Sequence, residues 1–179
     1  IVTFGIKPNK PATGYGYIKA DKDFREQIIN PFKIKKFIEK PNLRLAEELI
    51  KDRSYSWNSG IFIAKASVLI RELEKFSPEI ITLCKQAFKD NIDDLDFKRL
   101  DKYYFNQCPD LSIDKALMEK TSSGVVFPLH VEWSDIGGWQ SFWENSLKDI
   151  NGNVLIGDAI EMSSKNCLIK SNSLSLIHI

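Results

Sequence analysis

Apolar residues along this chain change spacing from strand-like to helix-like and back, with proline and glycine at the changes. That alternation restricts the fold to the α/β class. Ile1 to Ile6, Tyr15 to Ala20, Phe32 to Glu39, Gly60 to Ala64 and Gly124 to Leu129 read as short strands. Pro41 ends the third, since proline cannot donate to a sheet and restricts the residue before it. Asn42 is the expected N-cap of a helix over Leu43 to Lys51, Ser67 opens a helix to Phe76, and Ser77-Pro78 opens the next with proline at its first position. Asn91 to Phe105 reads as a surface loop followed by a short helix. Ser112 caps an expected helix over Ile113 to Lys120, and Gly138 to Lys148 reads as a helix rich in aromatic contacts. After Asn151-Gly152-Asn153 come short apolar pieces, Val154 to Ile156, Ala159-Ile160 and Cys167 to Ile169, the pattern of a β-rich region. Two parts are therefore expected, residues 1–150 and 151–179.

With 179 residues the chain has the length of one domain plus a small appendage. A net charge of +1 offers no general attraction for nucleic acid or an acidic membrane, so any anion site must be local. No run approaches the roughly 20 apolar residues of a membrane span, and no basic-then-apolar leader opens the chain. The expected location is the cytoplasm. Cys84, Cys108 and Cys167 form no CxxC pair and read as reduced, mostly buried thiols. His130 and His178 have no nearby ligating partners in sequence. The chain starts inside a strand at Ile1 and runs out in the uncharged Ser171 to Ile179, so it reads as a piece of something longer.

Four segments combine a turn-forming residue with a polar or charged side chain between apolar neighbours: Gly14-Tyr15-Gly16-Tyr17-Ile18, Phe37-Ile38-Glu39-Lys40-Pro41, Trp57-Asn58-Ser59-Gly60-Ile61-Phe62 and Trp133-Ser134-Asp135-Ile136-Gly137-Gly138-Trp139. Glu39 suits sugar hydroxyls and Lys40 a phosphate, although neighbours on a strand point apart and a solvated charge pair is the plainer account. Gly16 and Tyr15 let backbone approach a ligand, or simply make a bulge. Asn58 could present its amide to hydroxyls from a turn ahead of an apolar strand, or close an Asx-turn. Asp135 is either a helix N-cap or a ligand for a hard cation such as Mg²⁺. No Ser-His-Asp set and no GxxxxGK[ST] loop is present.

Taken in order, Val2-Thr3-Phe4-Gly5-Ile6, the four segments above and Ser112-Ile113-Asp114-Lys115-Ala116-Leu117-Met118-Glu119-Lys120 resemble the mannose-1-phosphate guanylyltransferase family. The resemblance runs from Ile1 to about Ser171 and is closest to the long bacterial form, in which a phosphomannose isomerase domain often follows. It implies a Rossmann-like nucleotide-diphospho-sugar transferase fold, conversion of GTP and mannose 1-phosphate to GDP-mannose and pyrophosphate, and Mg²⁺ as cofactor. It places Tyr15 and Gly16 along the sugar nucleotide, Glu39 on mannose hydroxyls, Lys40 on the phosphate, Asn58 on the sugar and Asp135 on the metal. Asp114 and Glu119 are weaker candidates, explained equally by a helix packed against the site. The family's glycine-rich nucleotide loop has no counterpart in these residues. The resemblance thus implies an internal fragment with little activity alone, a parallel sheet with an open edge, and the start of a β-helical segment after residue 150. It leaves a homo-oligomeric parent open. The rival readings are another sugar-1-phosphate nucleotidyltransferase and a non-catalytic sugar-nucleotide-binding subunit.

Overall fold

A computed structural model describes residues 1–24, 30–89 and 91–172; the tail from residue 173, with His178, lies outside them. The chain forms two compact units, Ile1–Val131 and Glu132–Ile179, so the expected boundary at residue 150 falls inside the second unit. The first contains β1 (Val2–Ile6), β2 (Tyr17–Ala20), β3 (Phe32–Ile38), α1 (Leu43–Leu49), β4 (Tyr55–Ile63), α2 (Ala66–Phe76), α3 (Pro78–Lys89), β5 (Ile92–Asp94), β6 (Phe97–Arg99), α4 (Lys102–Phe105), a π-helical turn at Asp114–Met118, and β7 (Val125–Leu129). The second contains α5 (Trp139–Glu144), β8 (Val154–Ile156) and β9 (Leu168–Lys170).

The main sheet is a closed ring in the order β1, β4, β2, β3, β7. In this ring, among the described residues, β1 and β7 run parallel and the other four pairings are antiparallel. The expected parallel sheet with an open edge is therefore corrected. β4 spans nine residues, enough to pair with β1 on one side and β2 on the other, and β3 reaches β7 at Phe32 and Lys33. Residues two apart on a strand share a face. One face of the ring carries Ile18, Ala20, Phe32, Phe37 and Val126, on which Leu117 and Met118 of the π-turn pack. Leu69, Leu73 and Phe76 of α2 cover this cluster from the helical layer.

Local chemistry explains the remaining elements. Asn42 caps α1 through its side-chain oxygen, which accepts from the Leu45 N–H at 2.9 Å. The stretch expected to be a loop before α4 forms the β5–β6 hairpin. Acidic residues on one strand face basic ones on the other, Asp93 with Lys98 at 2.6 Å and Asp94 with Arg99 at 2.7 Å. In the second unit, β8 and β9 pair in parallel, Val154 opposite Leu168, whereas Ala159-Ile160 is not a strand. All three cysteines are free thiols, and Cys84 is exposed where burial was expected. Among the described residues no helix is long and apolar enough to cross a membrane.

Two positions test this packing. A Cβ on Gly5 would overlap the Ser56 hydroxyl and lie 2.8 Å from the Val126 Cγ2 atom, with strands on both sides of β1 preventing retreat. Gly5→Ala is expected to lower unfolding free energy by about 1–3 kcal/mol, read by urea denaturation. Asp52 accepts from the Ser54 N–H at 2.9 Å and hydroxyl at 2.7 Å and pairs with Lys19 at 3.0 Å, which pushes its carboxyl down to about 2. Its stabilisation is present above the ordinary value of 3.8 and disappears as pH falls through about 2. Asp52→Ala should cost about 1 kcal/mol at pH 7, and the gap between variant and wild type should close over that acid range.

Candidate functional site

The polar end of the core face is where the expected site residues converge. Tyr17 pairs with Ile38 on one side and Trp57 on the other, so one step along, Gly16, Glu39 and Asn58 share a face. The Asn58 N–H donates to the Gly16 carbonyl at 2.7 Å. A Cβ on Gly16 would sit 2.7 Å from Glu39 Oε2 and 3.3 Å from Asn58 Cβ, so the glycine keeps the space between them open.

Asn58 was expected in a turn ahead of a strand; it lies inside β4 instead, although its Oδ1 accepts from the Gly60 N–H at 3.2 Å, the bond of the alternative Asx-turn reading. Gly5 pairs with Asn58 but Thr3 pairs with Phe62, which leaves Ser59, Gly60 and Ile61 facing Phe4 alone. Gly60 adopts φ 76°, as this bulge requires. The bulge turns β1 and β4 so that the Thr3 hydroxyl lies 3.0 Å from Asn58 Oδ1 and 3.1 Å from the Ile61 carbonyl. Glycine in an apolar run signalled an irregularity, and only pairing with β1 shows that the strand continues through it.

β3 ends at Ile38, and Lys40 turns into the left-handed region with φ 48° immediately before Pro41. That conformation is costly for a residue with a side chain, and doubly so ahead of proline. It also removes the alternation that separates strand neighbours, and brings the Lys40 ammonium to 3.4 Å from Glu39 Oε1. The Glu39 side chain is 10% exposed and that of Lys40 63%, so the base reaches out while the acid is enclosed. Burial pushes the Glu39 carboxyl above its ordinary value, the Asp114 charge adds to this and Lys40 opposes it, with Glu119 contributing a further upward push.

Asp114 and Glu119 were secondary candidates, and the structure brings both against the site. Asn58 Nδ2 donates to Asp114 Oδ1 at 3.1 Å, and the Glu39 backbone N–H donates to Glu119 Oε1 at 3.0 Å. In a regular α-helix, residues five apart point roughly 140° away from each other. The expected helix is instead a π-turn, with the Glu119 N–H bonded to the Asp114 carbonyl at 2.9 Å, and it turns both acids toward the strands. The residue before it, Ile113, is already helical, and the Ser112 side chain does not cap it. Thr3 was not anticipated at all; a threonine in a strand carries no signal until its partner across the sheet is known.

Tyr15 lies beside this cluster, its ring centroid 5.0 Å from that of the buried Trp57 in an edge-on contact. Asp135 belongs to the second unit. It does not cap α5, whose N-cap is Gly138, bracketed by the Ser141 hydroxyl at 3.0 Å from the Gly138 carbonyl. The carboxylate is exposed and has no hydrogen-bond or ion-pair partner among the described residues. No group of three or more His, Cys, Asp or Glu residues among them is placed to hold a metal. One free carboxylate fits Mg²⁺, which takes one or two carboxylates and completes its shell with substrate phosphate and water.

Known proteins resemble this chain over most of its length. The Salmonella montevideo protein named mannose-1-phosphate guanylyltransferase is 44% identical over 176 residues, which is 97% of this chain and 37% of that protein. A solved structure titled mannose-6-phosphate isomerase from Helicobacter pylori matches with a TM-score of 0.63 and 36% identity, over 75% of this chain and 51% of that one. A second, a mannose-1-phosphate geranyltransferase by its title and from Thermus thermophilus, matches with a TM-score of 0.72 and 24% identity, over 96% of this chain and 48% of that one, a likeness of fold. The chain thus spans about 37% of the length of the first of these relatives. Residues 1–152, which include Gly16, Glu39, Asn58, Asp114 and Asp135, match the nucleotidyl transferase family, and the chain belongs to it.

Proposed function

We propose that the protein containing this chain forms GDP-mannose and pyrophosphate from GTP and mannose 1-phosphate, and that the Gly16, Glu39 and Asn58 cluster binds the mannose. The observation that carries the reading is the enclosed Glu39 carboxylate and the buried Asn58 side chain flanking the space kept open by Gly16. A carboxylate accepts and an amide N–H donates, the pair of functions that sugar hydroxyls satisfy together. Glu39 accepts from mannose hydroxyls, Asn58 donates to them, and the Tyr15 and Gly16 backbone lies along the sugar nucleotide. Lys40, exposed and next to Glu39, draws the phosphate.

Held in this way, the mannose 1-phosphate oxygen attacks the α-phosphorus of GTP in line, the new O–P bond forming as pyrophosphate leaves with the electron pair of the broken bond. Glu39 and Asn58 hold the sugar so that its phosphate faces the nucleotide, and Lys40 offsets negative charge on the phosphoryl oxygens. Asp135 is the residue we assign to Mg²⁺, which when bound supplies further neutralisation of phosphoryl charge. We read β8 and β9 as the first pairing of a β-helical segment, and the nucleotidyltransferase part as ending near residue 150.

Incubation of the protein at its full natural length with GTP, mannose 1-phosphate and Mg²⁺ should release pyrophosphate and GDP-mannose. Preference for glucose 1-phosphate, or for thymidine or uridine triphosphate, would overturn the assignment. Gly16→Ala forces the flexible Glu39 carboxylate aside, so it should leave the circular dichroism spectrum intact and raise KM for mannose 1-phosphate about tenfold or more.

A pH prediction follows from Glu39. Its raised carboxyl takes up a proton before ordinary glutamates as pH falls, so KM for mannose 1-phosphate should rise on mild acidification, before other carboxylates titrate. The linked stability has the opposite sense: what Glu39 contributes is present below its unfolded value and lost as pH rises through its raised folded one. Glu39→Gln should therefore raise Tm at pH 7 while weakening mannose 1-phosphate binding. A lower Tm in that variant would show that the charge stabilises the fold.

A further inference from the structure

Asn58 is 8% exposed, and its amide has a polarity that neighbours on both ends dictate. The Gly60 N–H, 3.2 Å away, can only donate, so the group it meets must be the amide oxygen. The Asp114 carboxylate, 3.1 Å from the other end, accepts, so the group it meets must be the amide nitrogen. Turning the amide over would set N–H against N–H at one end and oxygen against carboxylate at the other. The Thr3 hydroxyl, 3.0 Å from Oδ1, shares its one proton with the Ile61 carbonyl at 3.1 Å and so adds only weakly to the same sense. An asparagine amide has two N–H donors and two acceptor lone pairs. Gly60 and Thr3 occupy the acceptor side, Asp114 takes one N–H, and one N–H is left.

We propose that Asp114 is a positioning residue that, with Thr3, locks Asn58 as a one-proton donor to a ligand hydroxyl oxygen, so that the site reads a hydroxyl between Asn58 and Glu39 by its ability to accept and donate at once. The inference rests on the sugar-phosphate reading of the same cluster and deepens it. Asp114 acts through Asn58 and touches no substrate. The selectivity is physical. A hydroxyl donates its proton to Glu39 and accepts from Asn58, whereas a deoxy position leaves one Glu39 oxygen and the second Asn58 N–H without a partner. The π-turn is the device that makes this possible, because it turns Asp114 toward Asn58 while Glu119 holds the Glu39 backbone.

The test uses Asp114→Asn and Thr3→Val in the protein at its full natural length. An asparagine at 114 can present N–H to position 58 and so permits either amide orientation. KM for mannose 1-phosphate should rise about tenfold, with KM for GTP unchanged and kcat altered by less than about threefold. The penalty that wild type imposes on monodeoxy mannose 1-phosphates should shrink by a similar factor at one ring position. Thr3→Val, which keeps the strand's side-chain shape, should move both readouts in the same direction by less. A uniform fall in kcat with every sugar phosphate, or unchanged discrimination in Asp114→Asn, would overturn the lock.

A second measurement stands apart from activity. In ¹⁵N–¹H spectra the Asn58 side-chain signals, assigned by their loss in Asn58→Asp, should show one proton slow to exchange, the one held by Asp114. Asp114→Asn should abolish that asymmetry. Two protons exchanging alike in wild type would refute the inference even if GDP-mannose forms. Asymmetry in a protein that makes no GDP-mannose would refute the functional reading and leave the lock standing.

Discussion

β1 is bonded on both sides, antiparallel to β4 and parallel to β7, and everything at the site descends from the closeness this allows. The ring closes at Gly5, where a side chain would collide with Ser56 and Val126. Because Gly5 lies opposite Asn58, the same absence of bulk brings the β4 backbone close to β1 where the polar face begins. Two residues earlier, Thr3 can then reach the Asn58 oxygen across the bulge. Core packing and site geometry are one constraint here: a β1 displaced outward would loosen the apolar cluster around Val126 and carry the Thr3 hydroxyl away from Asn58.

Much of the architecture was legible in the sequence because it depends on local chemistry. Pro41 and Pro78 mark an end and a beginning, Asn42 caps the helix after it, and the apolar face of α2 can be read from spacing alone. What was not legible depends on partners distant along the chain. The open-edged parallel sheet was wrong because the direction of pairing between β1, β4 and β2 is fixed by chain reversal, which spacing does not record. Asn58 looked like a turn residue because Gly60 follows it, yet the glycine serves a bulge within a strand. The hairpin at 92–99 was missed for a related reason. Its acidic and aromatic residues resemble a wet loop until Asp93 is seen opposite Lys98 and Asp94 diagonally paired with Arg99.

Among the proposed site residues, Glu39 and Asn58 stand out in the sequence by their flanking apolar anchors, which are local, and the structure places Gly16 beside them. Asp114 and Glu119 were weaker candidates because a helix packed against the site explains them without ligand contact. The segment does pack there, but as a π-turn, which turns both acids toward the strands where a regular α-helix would separate them. A five-residue spacing of acids on a short segment next to an apolar strand is the only trace that the sequence offers. Thr3 leaves no trace, since its role exists only through a contact 55 residues away.

The site concentrates electrostatic tension where the rest of the fold avoids it. Glu39 is enclosed, with Asp114 and Glu119 close enough to resist its ionisation, and the cation beside it, Lys40, reaches it from a strained backbone position. A fold optimised for stability alone would replace such a group by a neutral one. Strain at Lys40 and burial of Glu39 are also complementary. The left-handed turn holds an exposed ammonium against a carboxylate that solvent scarcely reaches, so the acid has a counter-charge without the lysine being buried with it. An ordinary strand continuing through residue 40 would point the two apart. The strain is thus the structural condition for the function proposed above, in which Glu39 takes hydroxyls and Lys40 the phosphate at one strand end.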